Sequence, residues 1–404
     1  MTSTHDFVIV GGGPAGLSAA ITATRAGCDA LVLEQGALLG PAPRGEGVSY
    51  HPLFDQLLGK GFLVDHSFET RRGAVYHSPG AVNHVALPAT GPLYFFEWRE
   101  LIDRLGEVAS GGGAELRTGC RVTGVEEDDR GRCRGVRYVD GEGVEHSAHG
   151  RTVLGCDGHR SVIGRHYQVD SSSLSCPIIK CRLAQAGFDA DQTRALQFFF
   201  IGNGDLPKAP RFPPSVAYAF PLADAQMEVG LMLRMGRARS MSTVDRPDTA
   251  ALMAVWEDLK QGYPIFHRYF EGAQIEHEEP TDLPNAGLWR NNVPATGAVL
   301  IGDSVGFVDP FGSSGIFPSM RMAQLWTEQI AAAMSQCRGG SRPLWTRRNL
   351  ARWRHAYHSS AIYRRIRASY LKVGALEWYV FKHLRTAARI NGRWSAIAKL
   401  LQLG

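Results

Sequence analysis

Cysteine is scarce in this sequence, and its spacing fits neither a disulfide framework nor a metal site. Seven cysteines are spread over 404 residues, with no CxxC pair. Structural zinc sites and small disulfide-bonded folds need closely spaced cysteines or a Cys/His cluster. We therefore expect a reducing compartment and no metal.

Long apolar runs are also missing. No stretch of about 18 apolar residues occurs, the length that would suggest a membrane-spanning helix. Strand-like sequence already begins at Asp6, which leaves no room for a cleavable signal peptide. We expect a soluble, cytoplasmic protein.

Acidic residues are almost absent near the C-terminus. Residues 338–404 hold 15 Lys and Arg against one acid, Glu377, a net charge of +14, so the remainder carries −9 of the total of +5. Aromatic residues such as Trp353, Tyr357 and Trp394 lie among these cations. The pattern predicts a helical region whose basic side either faces water or binds an anionic partner. An acidic protein and a lipid membrane are the partners considered, and nucleic acid is disfavoured because no binding module is apparent.

A glycine-rich turn stands near the N-terminus. The turn 11–16 reads Gly-Gly-Gly-Pro-Ala-Gly and lies between an apolar strand-like run, residues 6–10, and a helix-like run, residues 17–23. Here Gly11 permits a tight turn, Gly13 lets the backbone approach a pyrophosphate, and Gly16 lets helix and strand pack closely. Pro14 suits the first helical turn, and Ala15 follows it.

A carboxylate follows the next predicted strand. Residues 30–33 are apolar, and Glu34 stands where this motif places the acceptor for the hydroxyls of an adenosine ribose. A free 2′-hydroxyl fits FAD or NAD, whereas a 2′-phosphate would be repelled.

A second glycine-rich turn lies about 290 residues further along the chain. A strand-like run, residues 298–301, leads into Gly302 and Asp303, whose carboxylate suits a hydroxyl of a ribityl chain. Residues 310–315 then precede a predicted helix, whose N–H groups would face the flavin and stabilise negative charge on it. One nucleotide held by both ends of the chain indicates FAD.

The remaining pattern divides the chain into three parts. Segments 1–50, 96–167 and 286–337 predict a Rossmann-like α/β FAD-binding domain. Segments 51–95 and 168–285 contain successive strand-like runs without long helices and predict an antiparallel β-sheet substrate domain. Residues 338–404 form the basic, aromatic, helical C-terminal region.

Three motifs together resemble the FAD-dependent aromatic hydroxylase superfamily. They are the first turn with Glu34, the run 157–161 (Asp-Gly-His-Arg-Ser), and Gly302-Asp303 with Asp309-Pro310. The resemblance covers roughly residues 6–335. It implies FAD as cofactor and assigns cofactor contacts to Gly11, Gly13, Pro14, Ala15, Gly16, Glu34, Arg44, Arg99, Val122, Asp157, Gly302, Asp303, Pro310, Gly312, Ser313, Ser314, Gly315 and Ile316.

Two branches of the superfamily are similar to parts of this chain. Residues 43–47 and 218–222 resemble the geranylgeranyl reductase branch, and residues 309–315 resemble the flavin-dependent halogenases. The halogenases use a reactive lysine, but residues 70–75 contain arginines where we align it, and no Trp-x-Trp-x-Ile-Pro motif occurs. Because a guanidinium stays protonated, it cannot form the amine adduct that would carry a halogen.

The resemblance favours a monooxygenase that hydroxylates an electron-rich aromatic substrate through a C4a-hydroperoxyflavin. The substrate is either a small molecule or a tryptophan in a partner protein, as in tryptophylquinone cofactor biogenesis. A polyprenyl reductase, a halogenase and a non-enzymatic FAD scaffold are the alternatives. No catalytic acid or base is assigned, the candidates being His51, His66, His77, His84, Tyr94, Glu97 and Tyr218. The electron donor, whether NADH, NADPH or a separate reductase, is left open because no second GxGxxG turn occurs.

Overall fold

The computed structural model describes residues 4–40, 45–70, 73–88, 91–169, 175–185, 195–201, 215–222, 226–233, 249–284, 288, 290–310, 314–337, 343–376 and 390–397. The strands are β1 (Thr4–Val10), β2 (Ala30–Leu33), β3 (Gly45–Ser49), β4 (Phe68–Thr70), β5 (Ala74–His77), β6 (His84–Leu87), β7 (Leu93–Glu97), β8 (Glu115–Arg117), β9 (Arg121–Glu127), β10 (Cys133–Val139), β11 (Glu145–Gly155), β12 (Ser175–Ala184), β13 (Leu196–Ile201), β14 (Ser215–Pro221), β15 (Met227–Leu233), β16 (Gln274–Pro284) and β17 (Ala298–Leu300). The helices are α1 (Pro14–Arg25), α2 (Pro52–Leu58), α3 (Phe62–Asp65), α4 (Trp98–Gly111), α5 (Val162–His166), α6 (Thr249–Gly262), α7 (Ile316–Gln336), α8 (Arg347–Ser359) and α9 (Ala361–Leu376).

The first large sheet brings the two ends of the chain together. Its strand order is β8-β2-β1-β11-β10-β9, and β17 also pairs with β11. Strands β8, β2, β1, β11 and β17 are parallel, while β10 and β9 extend the sheet in antiparallel fashion. Parallel strands are covered on both faces, which explains why residues 7–10 and 30–33 are apolar throughout. The predicted Rossmann-like α/β fold is confirmed.

The second large sheet has the order β16-β12-β15-β14-β13-β5-β6. Its pairs are antiparallel apart from β13 with β5, which is parallel. The prediction of an antiparallel sheet needs this one correction. The reason is that β5 comes from an earlier segment of the chain, so no hairpin joins it to β13.

Helix α6 covers one face of the second sheet. Leu252, Trp256 and Leu259 pack on Ile179 and Val229 in a separate hydrophobic core. This helix, residues 249–262, comes after the strand-like runs of segment 168–285 and was not predicted. The helix is needed because a sheet that is apolar on both faces must be covered on each of them.

A three-stranded sheet, β3-β7-β4, carries residues 45–49 next to the second large sheet. The backbone N–H of Gly45 donates to Glu228 on β15 at 3.0 Å. The cavity described below is lined from both large sheets and from β3.

The C-terminal region packs against both large sheets. Trp353, Tyr357, Ile362 and Ile366 belong to the core of the first sheet. Trp394 belongs to a cluster on the second sheet, and its indole N–H donates to the carbonyl of Tyr76 at 2.9 Å. These aromatic side chains are core residues, and the charges lie on the other sides of their helices.

Membrane-spanning helices and metal sites can be judged only in the part of the chain that the structure describes. None of the helices there has the length and apolar character needed to cross a bilayer. No group of three or more His, Cys, Asp or Glu in that part of the chain is arranged to hold a metal ion.

Candidate functional site: a cofactor and substrate cavity

The first glycine-rich turn opens onto a cavity of about 1170 Å³. Gly11 has a φ of +103°, and a Cβ there would lie 2.4 Å from the carbonyl oxygen of Cys156. A Cβ on Gly16 would lie 1.9 Å from the carbonyl oxygen of Gly11, so this glycine permits the helix to pack on the turn. A Cβ on Gly13 would meet nothing within 4 Å, and Gly13 lines the cavity. The space beside Gly13 is therefore open to a ligand.

Helix α1 presents its N-terminus to the same cavity. Gly13 is its N-cap and offers no side-chain cap, and the first turn contains no acidic residue. Pro14 and Ala15 line the cavity. The uncapped N–H groups and the helix dipole make this end of α1 suited to a pyrophosphate.

Glu34 is held in place at the end of β2. One carboxylate oxygen accepts the N–H of Gly12 at 2.7 Å, and the other accepts the N–H of Gly36 at 2.8 Å. Each oxygen keeps a further lone pair for a ribose hydroxyl. Glu34 lines the cavity, as the ribose assignment requires.

The second turn reaches the cavity beside β17. Gly302 has a φ of +66° and packs on Ser319 of α7. Ser304 ties the turn to β11, since its hydroxyl donates to the carbonyl of Gly155 at 2.6 Å. Asp303 lines the cavity, and a Cβ on Gly315 would lie 3.2 Å from its carboxylate. The carboxylate and the start of α7 thus share one wall.

Helix α7 repeats the arrangement of α1. Gly315 is its N-cap, without a side-chain cap and without an acid in the first turn. Two uncapped helix N-termini and two carboxylates, Glu34 and Asp303, consequently face one cavity. Helix ends suit the pyrophosphate and the reduced flavin, and carboxylates suit the sugar hydroxyls, so these residues fit FAD.

The cavity brings together most of the predicted cofactor residues. The following line it: Gly11, Gly13, Pro14, Ala15, Glu34, Val122, Asp157, Asp303, Ser314, Gly315 and Ile316. Arg44, Gly312 and Ser313 lie outside the described residues. Gly16, Arg99, Gly302 and Pro310 are not part of the lining. Individual contacts with FAD stay predictions for all of these residues.

Arg99 and Asp157 have protein partners. Arg99 donates to the carbonyl of Leu39 and pairs with Asp103 at 3.1 Å, so its guanidinium is used within the domain. Asp157 accepts the N–H of Val162, the first residue of α5, at 2.7 Å, while Ser161 is the N-cap of that helix. Burial raises the pKa of its carboxyl. A cofactor role for Asp157 would add to this structural one.

The second sheet supplies an apolar chamber to the same cavity. Phe95 stacks on Phe220 with ring centroids 4.8 Å apart, and Phe220 stacks on Tyr218 at 5.9 Å. Gly230 makes room for Tyr218, because a Cβ there would lie 2.4 Å from the phenol oxygen. We define the apolar chamber by eight lining residues: Leu93, Phe95, Ile178, Leu196, Phe198, Tyr218, Phe220 and Met232.

A charged cluster borders the apolar chamber. It comprises Glu46, Glu97, Lys180, Arg182 and Glu228. Lys180 pairs with Glu46 at 2.7 Å, and Arg182 pairs with Glu97 at 2.6 Å. Glu46 and Lys180 line the cavity. The polar end of the cavity is therefore built from paired charges.

Glu228 is the third acid of this cluster, beside Glu46 and Glu97, and is 1% exposed. Burial raises the pKa of its carboxyl to about 7, while Lys180 and the Gly45 N–H oppose that rise. Burial also raises the pKa of Glu97, and Arg182 opposes it. Sequence reasoning missed Glu46, Lys180 and Glu228. The available signal was a charge in the middle of an apolar strand, as in residues 178–183 and 227–233.

Two of the seven candidate acids and bases, His51 and Tyr218, line the cavity. The ring of His51 packs against Phe317 with centroids 4.4 Å apart and the ring planes tilted by 47°. Partial burial and the nearby Arg321 and Arg365 lower the pKa of His51. His51 Nδ1 accepts the N–H of Leu53 at 3.1 Å, so in the neutral ring Nε2 carries the proton and can donate a hydrogen bond.

Helix α9 closes one side of the cavity. Ile362, Arg365, Ile366 and Ser369 line it. The hydroxyl of Ser369 donates to the carboxylate of Asp309 at 2.5 Å. The C-terminal region is thus part of the cavity wall.

Known proteins are similar to this chain in sequence and in fold. The FAD binding domain family matches residues 4–201. Digeranylgeranylglycerophospholipid reductase 1 of Methanopyrus kandleri is 30% identical over 341 residues, which cover 82% of this chain and 81% of that protein. Menaquinone reductase of Mycolicibacterium smegmatis is 27% identical, with 82% and 78% covered. The chain belongs to the FAD-dependent aromatic hydroxylase superfamily.

A solved structure supports the fold of this superfamily member. A geranylgeranyl bacteriochlorophyll reductase-like protein from Thermoplasma acidophilum superposes with a TM-score of 0.74 at 17% identity, covering 100% of this chain and 99% of that one. At that identity the likeness shows the fold alone. The family match and the reductase relatives show that the chain is a FAD-dependent oxidoreductase. When bound, FAD supplies the two-electron chemistry, and the chain supplies the binding and the shape of the cavity.

Proposed function

We propose that this oxidoreductase saturates a carbon–carbon double bond in the polyprenyl chain of a lipid. The observation that carries the proposal is that the apolar chamber and both FAD turns share one cavity. Its volume of about 1170 Å³ exceeds the usual range for one small ligand, about 300–1,000 Å³, and so suits a cofactor with a substrate.

The relatives that cover most of the chain favour the same chemistry. They are named for digeranylgeranylglycerophospholipid and for menaquinone, and both molecules carry a long polyprenyl chain on a more polar head. The aromatic side chains of the apolar chamber would hold the isoprene units and exclude water. The paired charges of Glu46 and Lys180 would lie at the polar end of the cavity.

Aromatic hydroxylation is a second candidate. The nearly parallel rings of Phe95 and Phe220, 16° apart in plane, also suit an aromatic substrate. This candidate has less support because the relatives spanning most of the chain are named as reductases. A tryptophan in a partner protein as substrate stays a prediction.

The reductase and the hydroxylase candidates can be distinguished by running the reaction under argon and in air. The FAD-loaded protein, reduced with dithionite, is mixed with a geranylgeranyl lipid that carries no quinone ring under argon, and the products are analysed by mass spectrometry. We expect a product heavier by two hydrogens together with oxidation of the flavin. A product heavier by one oxygen, formed from an aromatic compound only in air, would overturn the reductase proposal in favour of hydroxylation.

Phe220 provides the matching variant. Phe220→Ser should raise KM for the polyprenyl substrate while FAD stays bound, because Phe220 belongs to the apolar chamber and not to either turn. Val144→Ser, at a 50% exposed site away from the cavity lining, is the control. An unchanged KM in Phe220→Ser would remove the apolar chamber from the substrate site.

A further inference from the structure

Helix α9 has two functional faces. Its inner face, with Ile362, Ile366 and Ser369, is buried and lines the cavity. Its outer face is exposed and carries Arg364 and Arg367. The same short helix therefore separates the proposed substrate site from the surroundings of the protein.

Helices α8 and α9 carry exposed cations, which we call the basic face. We define it by Arg347, Arg348, Arg352, Arg364, Arg367 and Lys372, all of them exposed. Residues 343–376 contain no Asp or Glu. Leu371 lies among these cations and is 66% exposed. Cations with an exposed apolar side chain are the composition of helices that bind at a bilayer surface.

We propose that the basic face docks this protein on an anionic lipid surface, with α9 between that surface and the cavity. The choice of a lipid over an acidic protein rests on the proposed polyprenyl substrate, which resides in membranes. Residues 343–376, which contain this face, hold eight Lys and Arg and no acid, whereas residues 1–337 carry −9, so this face is attracted to anionic lipid while the remainder is repelled. The molecule would therefore bind in one orientation.

The strength of such binding follows from its electrostatics. Each Lys or Arg near an anionic surface strengthens binding by about fivefold at physiological salt, and the effect falls off within a Debye length of about 8 Å. Neutralising three cations of the basic face should weaken binding by about a hundredfold. Raising the salt concentration should also weaken the binding of the unaltered protein to anionic vesicles.

The test is flotation of the FAD-loaded protein with vesicles of phosphatidylcholine, with and without phosphatidylglycerol. The variant is Arg348→Gln, Arg364→Gln and Arg367→Gln combined. The control combines Lys60→Gln, Arg130→Gln and Arg268→Gln, three exposed cations elsewhere that change the net charge equally. We expect salt-sensitive binding to the anionic vesicles only, lost in the variant and kept in the control.

Three outcomes would overturn the proposal. They are no binding to anionic vesicles, equal losses in the variant and the control, and tight binding to a nucleic acid or an acidic protein with none to vesicles. Activity on a detergent-dispersed substrate should stay unchanged in the variant, because none of its three arginines lines the cavity. If vesicle binding behaves as expected but no polyprenyl substrate is reduced, then the proposed function fails and the docking surface stands.

Discussion

Gly13 and Gly16 belong to one turn but have different roles, and substituting each of them by alanine should have different effects. In Gly13→Ala the new Cβ meets no protein atom within 4 Å, so stability without FAD should change by less than about 0.5 kcal/mol. FAD affinity should fall tenfold or more, about 1.4 kcal/mol, because the methyl group occupies space that the pyrophosphate needs.

Gly16→Ala should behave in the opposite way. Its Cβ would lie 1.9 Å from the carbonyl oxygen of Gly11, so the protein without FAD should lose about 1–3 kcal/mol or more of stability. Urea unfolding and fluorescence titration with FAD measure both effects. An unchanged FAD affinity in Gly13→Ala would mean that the open space at Gly13 does not hold the cofactor.

The two carboxylates give a second prediction at this scale. Glu34→Ala and Asp303→Ala should each weaken FAD binding by about 1.5–3 kcal/mol, the usual value of hydrogen bonds to a charged group. Asp129→Ala, at an exposed position outside the cavity lining, is the control. Full retention of FAD by both variants during gel filtration would contradict the assignment of the sugar hydroxyls.

Glu228 predicts a pH dependence of stability. Its folded pKa of about 7 lies above the ordinary 4.5, so the folded state binds the proton more tightly than the unfolded state. The tighter binding of the proton adds to the free energy of unfolding. This addition is complete below about pH 4.5 and is lost as the pH rises to about 7, a change of about 3 kcal/mol. The groups facing Glu228 are Glu46, Lys180, Arg182 and the Gly45 N–H.

Glu228→Gln should remove this part of the pH dependence. Urea unfolding between about pH 5 and about pH 8 is the measurement. Glu145→Gln, at an exposed site, should leave the wild-type slope unchanged. Identical slopes for the wild type and Glu228→Gln would show that Glu228 is ionised throughout this range.

At the scale of elements, segment 390–397 joins the end of the chain to the second sheet. Trp394 is 2% exposed and packs on Phe200 with ring centroids 5.2 Å apart. Trp394→Ala should cost about 3–5 kcal/mol and expose the C-terminus to proteases. Leu371→Ala, at a site 66% exposed, should cost little. A proteolysis pattern unchanged by Trp394→Ala would contradict this docking.

The elements also show what a sequence alone can predict. Strand β2 was predicted with its observed bounds, because the apolar run 30–33 ends at the charged Glu34. Strand β16 was missed because residues 274–284 are rich in acids and prolines, and only pairing with β12 at the sheet edge makes them a strand. The ion pairs of Lys180 and Arg182 join residues more than 80 positions apart, and no local pattern encodes such pairs.

At the scale of the whole molecule, one cavity is lined from both ends of the chain. Because Glu34 and Asp303 are predicted to bind the same FAD molecule, removing FAD should lower the stability of the first sheet as a unit. At a free concentration of 100 times Kd, FAD should add about 2.7 kcal/mol. A titration followed by thermal unfolding measures this gain. No shift in Tm with added FAD would contradict a preformed site in the folded protein.

The family, the cofactor and the α/β fold followed from three short motifs, since those motifs place backbone N–H groups and carboxylates at fixed positions. The class of substrate did not follow from these motifs, because the apolar chamber is assembled from four strands of the second sheet and from β7. Residues such as Phe95 and Phe220 are 125 positions apart and meet only in the folded chain.

The position of helix α9 has a kinetic consequence. In the proposed orientation, α9 lies between the cavity and the lipid surface. A polyprenyl chain would then pass from the bilayer into the cavity without crossing water. Turnover would then depend on the mole fraction of substrate within the bilayer and hardly on its concentration per volume of solution. Diluting the substrate with inert lipid would slow the enzyme, whereas diluting the vesicles with buffer would not, as long as the protein stays bound.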